Sequence, residues 1–600
     1  MDVPTSQRLS RLECLAPELL SKIALFVALV NGNQLGPPSC ILPLTLTSRS
    51  LHRSISLSNN AHLLSDLFRT HFDEAAFARR ARMKISTTAL ASEYRKRCET
   101  LRRIRAEDVS QTTVIEDLWT AFLMFNEHDE RNVGHLIVWA NLHRYLMRFF
   151  RSLALDVRNA LNISMKESTA LSLAIYLLCY ISNKDILHEE TSEERKYLID
   201  ILEVFVLYGF RLPSFYAPDN EFRVQAFHPQ CSSRSQGSGY DARLFPLPKI
   251  SCITHYAREI NLRPPPISSC AFLALVARYE YALDDKGSQV IEASRPLDRA
   301  HANALGLTGA TQADMIEIAS RIRNKLPGVR PRGTDRFGHG CSRNHDEEWY
   351  QVTSCFYPGT SGLRSLSPKM PQGRVFVPGQ LCGLWAGKFM VPERSSYRRL
   401  INPHPQSPVE NVPMYQQAIY MRLREHHYLD DGTSSSCSTE LDSDGLLGAW
   451  LPKNSVLSED RENSHLELYQ PISQSRRRYE TYCLTEVGGV HYPGLVSNNS
   501  KQKPSGVADI VITGETDTNH AEAWGRFSFT GRVRLWDGLI ALLRRPTNPE
   551  DASLGTWIFR GYITPSGVLI GRWRETATGM ESPGWEGPFF LTKQTETFES

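Results

Sequence analysis

The spacing of apolar residues changes period along the chain. Near the start, Leu15, Leu19, Leu20, Ile23, Phe26, Val27 and Val30 recur at helical intervals. Pro17 suits a first helical turn, where a missing N–H costs nothing, and Glu18 places negative charge at the positive end of the dipole. A second apolar run, Ile41–Arg53, follows Pro37-Pro38, and a third, Leu63–Phe68, follows Asn59-Asn60. Three helices this short bury little among themselves. The pattern over residues 1–60 therefore predicts a small helical module that docks onto something else. Residues 61–215 continue at the helical period, through Val114–Phe125, Leu136–Leu153, Ala170–Ile181 and Tyr197–Tyr208, and predict a helical scaffold.

Residues 216–375 carry a weaker pattern and predict a mixed, partly irregular linker region. Cys231–Tyr240 has loop composition, Cys270–Tyr281 and Gln312–Lys325 suit helices, and Pro327–Asn344 is rich in Gly, Pro and Arg.

From residue 376 the period falls to two. Val377–Phe389 leads from a turn into a strand, and Tyr415–Tyr428, Leu446–Leu451, Tyr479–Leu484 and Asp509–Thr513 suit further strands. Asp430–Asp444 suits a polar loop and 452–476 a mobile insertion. Phe527, Phe529, Gly531, Val533 and Leu535 alternate with Ser528, Thr530, Arg532 and Arg534. Asp537-Gly538, Pro565-Ser566-Gly567 and Pro583-Gly584 punctuate the alternating sets that follow. A meander of about eight to ten strands has exposed edges unless it closes, which predicts an antiparallel β-barrel, with a β-sandwich as the alternative. The fold class expected is α+β, multidomain, with 376–600 as the barrel domain.

Two segments carry a family resemblance. Leu15-Ala16-Pro17-Glu18-Leu19-Leu20, then Ile23 and Phe26-Val27, then Leu46-Thr47-Ser48-Arg49-Ser50-Leu51-His52-Arg53 together resemble the F-box over roughly residues 12–56. Ala16 stands where that motif usually has Leu, Leu51 where it often has an aromatic, and the Asn31–Ser39 loop is longer. Gly383-Leu384-Trp385 resembles the Gly-x-Trp opening of calycin-type barrels. The F-box resemblance implies a non-catalytic substrate receptor of an SCF-type (cullin–RING) ubiquitin ligase. Leu15, Pro17, Leu19, Leu20, Ile23, Phe26, Val27, Leu46 and Leu51 would then form either the adaptor interface or the module's own core. The partners implied are the ligase adaptor, the cullin scaffold and an unknown protein substrate, with no cofactor.

Composition narrows the alternatives. With 68 basic and 65 acidic residues the net charge is only +3, so no overall field favours nucleic acid or an anionic membrane. The 12 cysteines lie singly, with no Cys-x-x-Cys, and suggest neither a disulfide framework nor a zinc site. No secretory signal opens the sequence, and Ala170–Ile181 is too short to span a bilayer, so the expected location is cytoplasmic or nuclear.

No phosphate-binding loop or nucleophile elbow is present. Cys341, His345, Asp346, Glu347, Glu348 and Cys355 are metal-ligand types, but their spacing suits a solvated acidic loop better. Glu515, Asp517 and His520 could support acid–base work or cap a loop. The Glu515–Trp524 loop and the Trp536-Asp537-Gly538 turn would be presented by a rigid barrel, which nominates Glu515, Trp524, Arg534, Trp536 and Asp537 for substrate binding. The remaining barrel tryptophans suit a core, and Arg532, Arg534, Arg572 and Arg574 suit surface snorkelling. Two other readings stay open: a small-molecule-binding barrel with a helical cap, and an enzyme built on Glu515 and His520.

Overall fold

The computed structural model describes residues 10–29, 35–55, 60–110, 112–153, 165–212, 250–285, 295–323, 342–353, 376–401, 412–430, 445–484, 490–491, 506–535, 537–579 and 584–594. The predicted Cys231–Tyr240 loop, most of Pro327–Asn344, nearly all of Asp430–Asp444, Cys341, Cys355 and Trp536 lie outside the described residues. The chain is α+β: helices dominate the first half, and a closed eight-stranded antiparallel barrel forms the C-terminal part.

Three short helices come first: α1 (Pro17–Leu29), α2 (Ile41–Leu46) and α3 (Arg49–Ile55). They pack on one another, and α1 lies on α4 (Ala61–His71), which packs on α6 (Thr87–Arg105) beyond α5 (Ala75–Ala81). Leu20, Ala24 and Ala28 of α1 share one buried cluster with Ile41, Leu51, Ile55, Leu64 and Phe68. Helix α7 (Val114–Asn126) and helices Met165–Ile181, Ser192–Leu207 and Ile267–Asp285 extend that cluster. Thr191 and Glu194 form a capping box that fixes the start of Ser192–Leu207.

The helix expected over Leu136–Leu153 is broken instead. A π-turn (His135–Trp139) ends at Ala140, Asn141 takes a left-handed φ of +54°, and its side chain caps a new helix, Leu142–Ser152. An asparagine tolerates that conformation and caps well, so one periodic stretch becomes two helices.

A small hairpin, β1 (Ser251–His255) and β2 (Arg258–Leu262), precedes the barrel. The main sheet runs through β3 (Gly383–Pro392), β4 (Met414–Asp430), β5 (Val456–Asp460), β6 (His465–Gln470) and β7 (Ser475–Thr481). After a two-residue pair, β8 (Cys483–Leu484) and β9 (Val490–His491), it resumes with β10 (Gly506–Glu515), β11 (Phe527–Arg534) and β12 (Leu539–Pro546). β13 (Trp557–Ile563), β14 (Val568–Glu575) and β15 (Glu586–Lys593) complete it. β10 to β15 pair in sequence, β15 pairs with β3, and β3 with β4. The far half of β4 pairs with β10, Glu425 opposite Ile512, and shuts the barrel. Closure rules out the sandwich alternative.

Both faces of this sheet are covered. Inside lie Trp385, Phe389, Ile419, Met421, Ile512, Phe529, Leu542, Phe559, Trp573 and Phe589. Outside, Leu384, Tyr562, Ile570 and Phe590 join the helical core, and Phe272 of Ile267–Asp285 meets Phe590 at 5.7 Å between ring centroids. This outer cover corrects one expectation. Arg532 and Arg572 do point outward, but they are buried under neighbouring elements rather than snorkelling. Arg532 pairs with Asp509 at 2.7 Å, and Arg572 with Glu586 at 2.7 Å. Arg574 is buried too and donates to the carbonyls of Thr578 and Gly579.

Three further expectations need correction. Leu446–Leu451 is a 3₁₀ turn, not a strand, with Ala449 and Trp450 at positive φ. Its apolar side chains cap the outer face at Ala541, Leu543 and Ile558. Residues 452–476 are an ordered hairpin, because Leu466 and Leu468 alternate inward and, with Tyr479, pack on Val511. The acidic stretch at Asp346 is a helix, Asp346–Thr353, and not a loop. Asp346 pairs with Arg79 and Arg80, both at 2.8 Å, and Glu348 accepts a hydrogen bond from Tyr176 at 2.5 Å. Among the described residues no group of histidine, cysteine and carboxylate side chains is arranged to hold a metal. Among them, too, no helix is long and apolar enough to cross a membrane.

Candidate functional site

Among the described residues, two places stand out for their exposed apolar side chains or for a cavity with unpartnered polar groups. The first is the outward face of α1 and α2. Leu20, Ala24 and Ala28 turn inward, which leaves Leu19, Ile23 and Phe26 on another face at i, i+4 and i+7. Leu19 is 48% exposed and Phe26 68%, while Ile23, Leu15 and Val27 are half-buried. On α2, Leu42 and Leu46 stand one turn apart, 58% and 72% exposed. Pro17 is exposed as well, and Leu51 is buried. The nine residues nominated from the sequence thus divide. Leu20 and Leu51 belong to the core, and Pro17, Leu19, Phe26 and Leu46 face solvent. Leu29 and Leu42 were not nominated and are exposed beside them.

The second place is one mouth of the barrel. A cleft of about 630 Å³ opens there, within the range that small ligands occupy. Phe389, Ile419, Trp524, Phe527, Arg544 and Trp557 are among its lining residues. Arg544 lies on β12 between Phe529 and Trp557 in the ladder. Its side chain is turned toward the barrel interior, as the parity of Ile540 and Leu542 dictates. The guanidinium carbon sits 3.9 Å from the Trp557 ring centroid and 4.2 Å from that of Phe527. Only 4% of the residue is exposed, and its Nε has no hydrogen-bond partner. Burial without a counter-ion brings its pKa down to about 9, which still leaves it charged at neutral pH. Trp524 contributes a second buried N–H without an acceptor, Nε1. Asp551 and Glu575 also line the cleft, and Glu575 is paired with Arg394 at 2.8 Å.

The five residues nominated for substrate binding do not converge. Trp524 lines the cleft at the start of β11, whereas Arg534 ends that strand and Asp537 lies just past it. Eight strand residues separate those ends by about 25 Å. Arg534 donates to Asp537, and Asp537 also accepts from the Leu539 N–H and the Tyr562 hydroxyl. That pair fixes the β11–β12 turn. Glu515 is engaged by Arg424 and Arg461, each at 2.9 Å.

His520 is held at both nitrogens, 3.0 Å from Asp517 and 3.2 Å from Glu317, and its ring stacks on Tyr420 with centroids 3.8 Å apart. Asp517 is also paired with Arg422 at 2.9 Å. Burial opposes ionisation of Asp517, but the Arg422 and His520 contacts outweigh it and lower its pKa. These groups form a tie between the β10–β11 connection, β4 and helix Gln312–Arg323. Arg544 was missed in the sequence, although a signal existed: a charged residue at an inward-parity position of an otherwise apolar strand.

No family model matches the chain, and no curated protein or solved structure matches it either.

Proposed function

We propose that this chain is a substrate receptor of a cullin–RING ubiquitin ligase. In this reading the N-terminal helices dock onto the ligase adaptor, and the rest of the chain presents the substrate. One observation carries the reading: α1 and α2 expose Leu19, Phe26, Leu29, Leu42 and Leu46 while their other faces are buried. A surface of this kind is costly in water and is characteristic of a protein–protein contact. The F-box-like order of Pro17, Glu18, Leu19, Leu20 and Thr47-Ser48-Arg49 selects the adaptor as the partner. The receptor would act by proximity, holding a substrate near a conjugating enzyme, with no acid–base step of its own.

The test uses the full chain expressed in cells and recovered by affinity, with adaptor and cullin measured by mass spectrometry. Wild type is expected to bring down both. Leu19→Asp with Phe26→Asp is expected to lose both, because these side chains face solvent and their replacement leaves the fold intact by circular dichroism. Unchanged recovery by the folded double variant overturns the reading.

A further inference from the structure

Arg544 poses a question that adaptor docking does not answer. A guanidinium taken out of water is strongly disfavoured unless paired, and proteins almost always give a buried arginine a carboxylate or a set of carbonyls. The barrel does so elsewhere: Arg532 has Asp509, Arg534 has Asp537 and Arg572 has Glu586. Arg544 has aromatic rings instead. Trp557 and Phe527 lie close against it, and Phe389 and Phe559 stand 5.6 and 5.8 Å away. Rings attract a cation through their faces but accept no conventional hydrogen bond from its N–H groups. The in-plane donors are therefore unspent, in a residue more than nine-tenths buried that lines the cleft.

We propose that the mouth of the barrel is a binding site for a small apolar carboxylic acid, with the carboxylate held by Arg544 and the body lying against Phe389, Phe527 and Trp557. The planar fork of an arginine matches the two oxygens of a carboxylate. The aromatic lining supplies the apolar contact, and Trp524 Nε1 offers a further donor in the same cleft. Asp551, Glu575 and Arg394 also line the cleft, and Arg394 pairs with Glu575, so the anion's charge is left for Arg544 to meet. The site goes beyond adaptor docking and does not depend on it, because the two surfaces share no residue.

The experiment titrates the full chain calorimetrically with 6-phenylhexanoate, 6-phenylhexan-1-ol and 6-phenylhexylamine. These three probes share a body and differ in the head group. The acid is expected to bind at one site per chain. The alcohol is expected to bind about tenfold more weakly or worse, since it forfeits the charge-assisted pair, and the amine not measurably. Arg544→Leu is expected to lose the acid's advantage over the alcohol while its thermal midpoint rises, because an unpaired buried charge is removed. Equal affinity for acid and alcohol in wild type overturns the proposal, as does the absence of binding by the acid. Acid affinity unchanged in Arg544→Leu also overturns it. Should that variant fail to fold, the head-group ranking in wild type decides alone.

Discussion

The backbone N–H of Gly36 donates to Nδ1 of His135 at 2.7 Å, joining positions 99 residues apart. Nε2 of the same ring lies 2.8 Å from the carbonyl of His71. Together these contacts require a neutral imidazole with its proton on Nε2. Burial opposes the charged form, and the His71 carbonyl only partly offsets it, so the pKa falls to about 4. A histidine whose folded value is depressed stabilises the fold fully above its unfolded value of about 6.5, and the contribution fades as pH falls towards 4. The loss approaches about 3 kcal/mol at the acid limit. Urea denaturation at pH 7 and pH 5 is expected to show wild type losing stability on acidification, with His135→Gln losing less. Identical pH dependence in the two proteins would refute this assignment.

Arg97 sits in a buried network with Glu93 at 3.2 Å and Glu127 at 2.6 Å, and His255 lies 2.7 Å from Glu127. Burial opposes the charge on His255, but Glu127 and Glu93 outweigh it and raise its pKa. Its contribution is thus full below about 6.5 and disappears as pH rises past the raised value, opposite in sign to that of His135. Removing Arg97 would leave two buried carboxylates with His255 as their remaining cationic neighbour. Arg97→Met is expected to cost about 3–5 kcal/mol in chemical denaturation. A loss below 1 kcal/mol would show that the carboxylates find other compensation.

The inward and outward faces of α1 should separate in a mutational series. Leu20→Ala empties a core position and is expected to cost about 2–4 kcal/mol. Leu19→Ala and Phe26→Ala are expected to stay within about 0.5 kcal/mol. Equal losses at all three positions would mean that the exposed face is covered in solution.

Gly561 and Gly571 face each other across β13 and β14. A methyl on Gly571 would overlap the Arg560 carbonyl, and one on Gly561 the Ile570 carbonyl. Backbone cannot yield as a flexible side chain can, so Gly571→Ala is expected to cost about 3 kcal/mol or more, read as a lowered thermal midpoint.

The barrel was legible because strands such as β11 alternate apolar and polar residues over their length, and glycine-containing turns mark the ends of several of them. Closure was legible only as an inference from edge protection. The β4–β10 pairing itself leaves no local trace, since its partners lie some ninety residues apart. The hairpin of β5 and β6 escaped notice because its outward residues are so polar that Leu466 and Leu468 looked isolated. The arginines of β11 and β14 were misread for a related reason. Parity tells which face of a sheet a residue occupies, but not whether helices distant in sequence cover that face. Of the residues nominated from the sequence for substrate binding, Trp524 lines the cleft. That Arg544 is paired with no carboxylate is visible only in the assembled barrel.

β15, the last strand of the barrel, lies beside β3, the first. Roughly 200 residues separate them, so a ribosome adding about 5–20 residues per second needs some 10–40 s between the two. Throughout that interval β3 has β4 on one side and no permanent neighbour on the other, while the greasy face of α1 and α2 is already outside. A nascent chain in this condition invites either early capture by its eventual partner or the attention of chaperones.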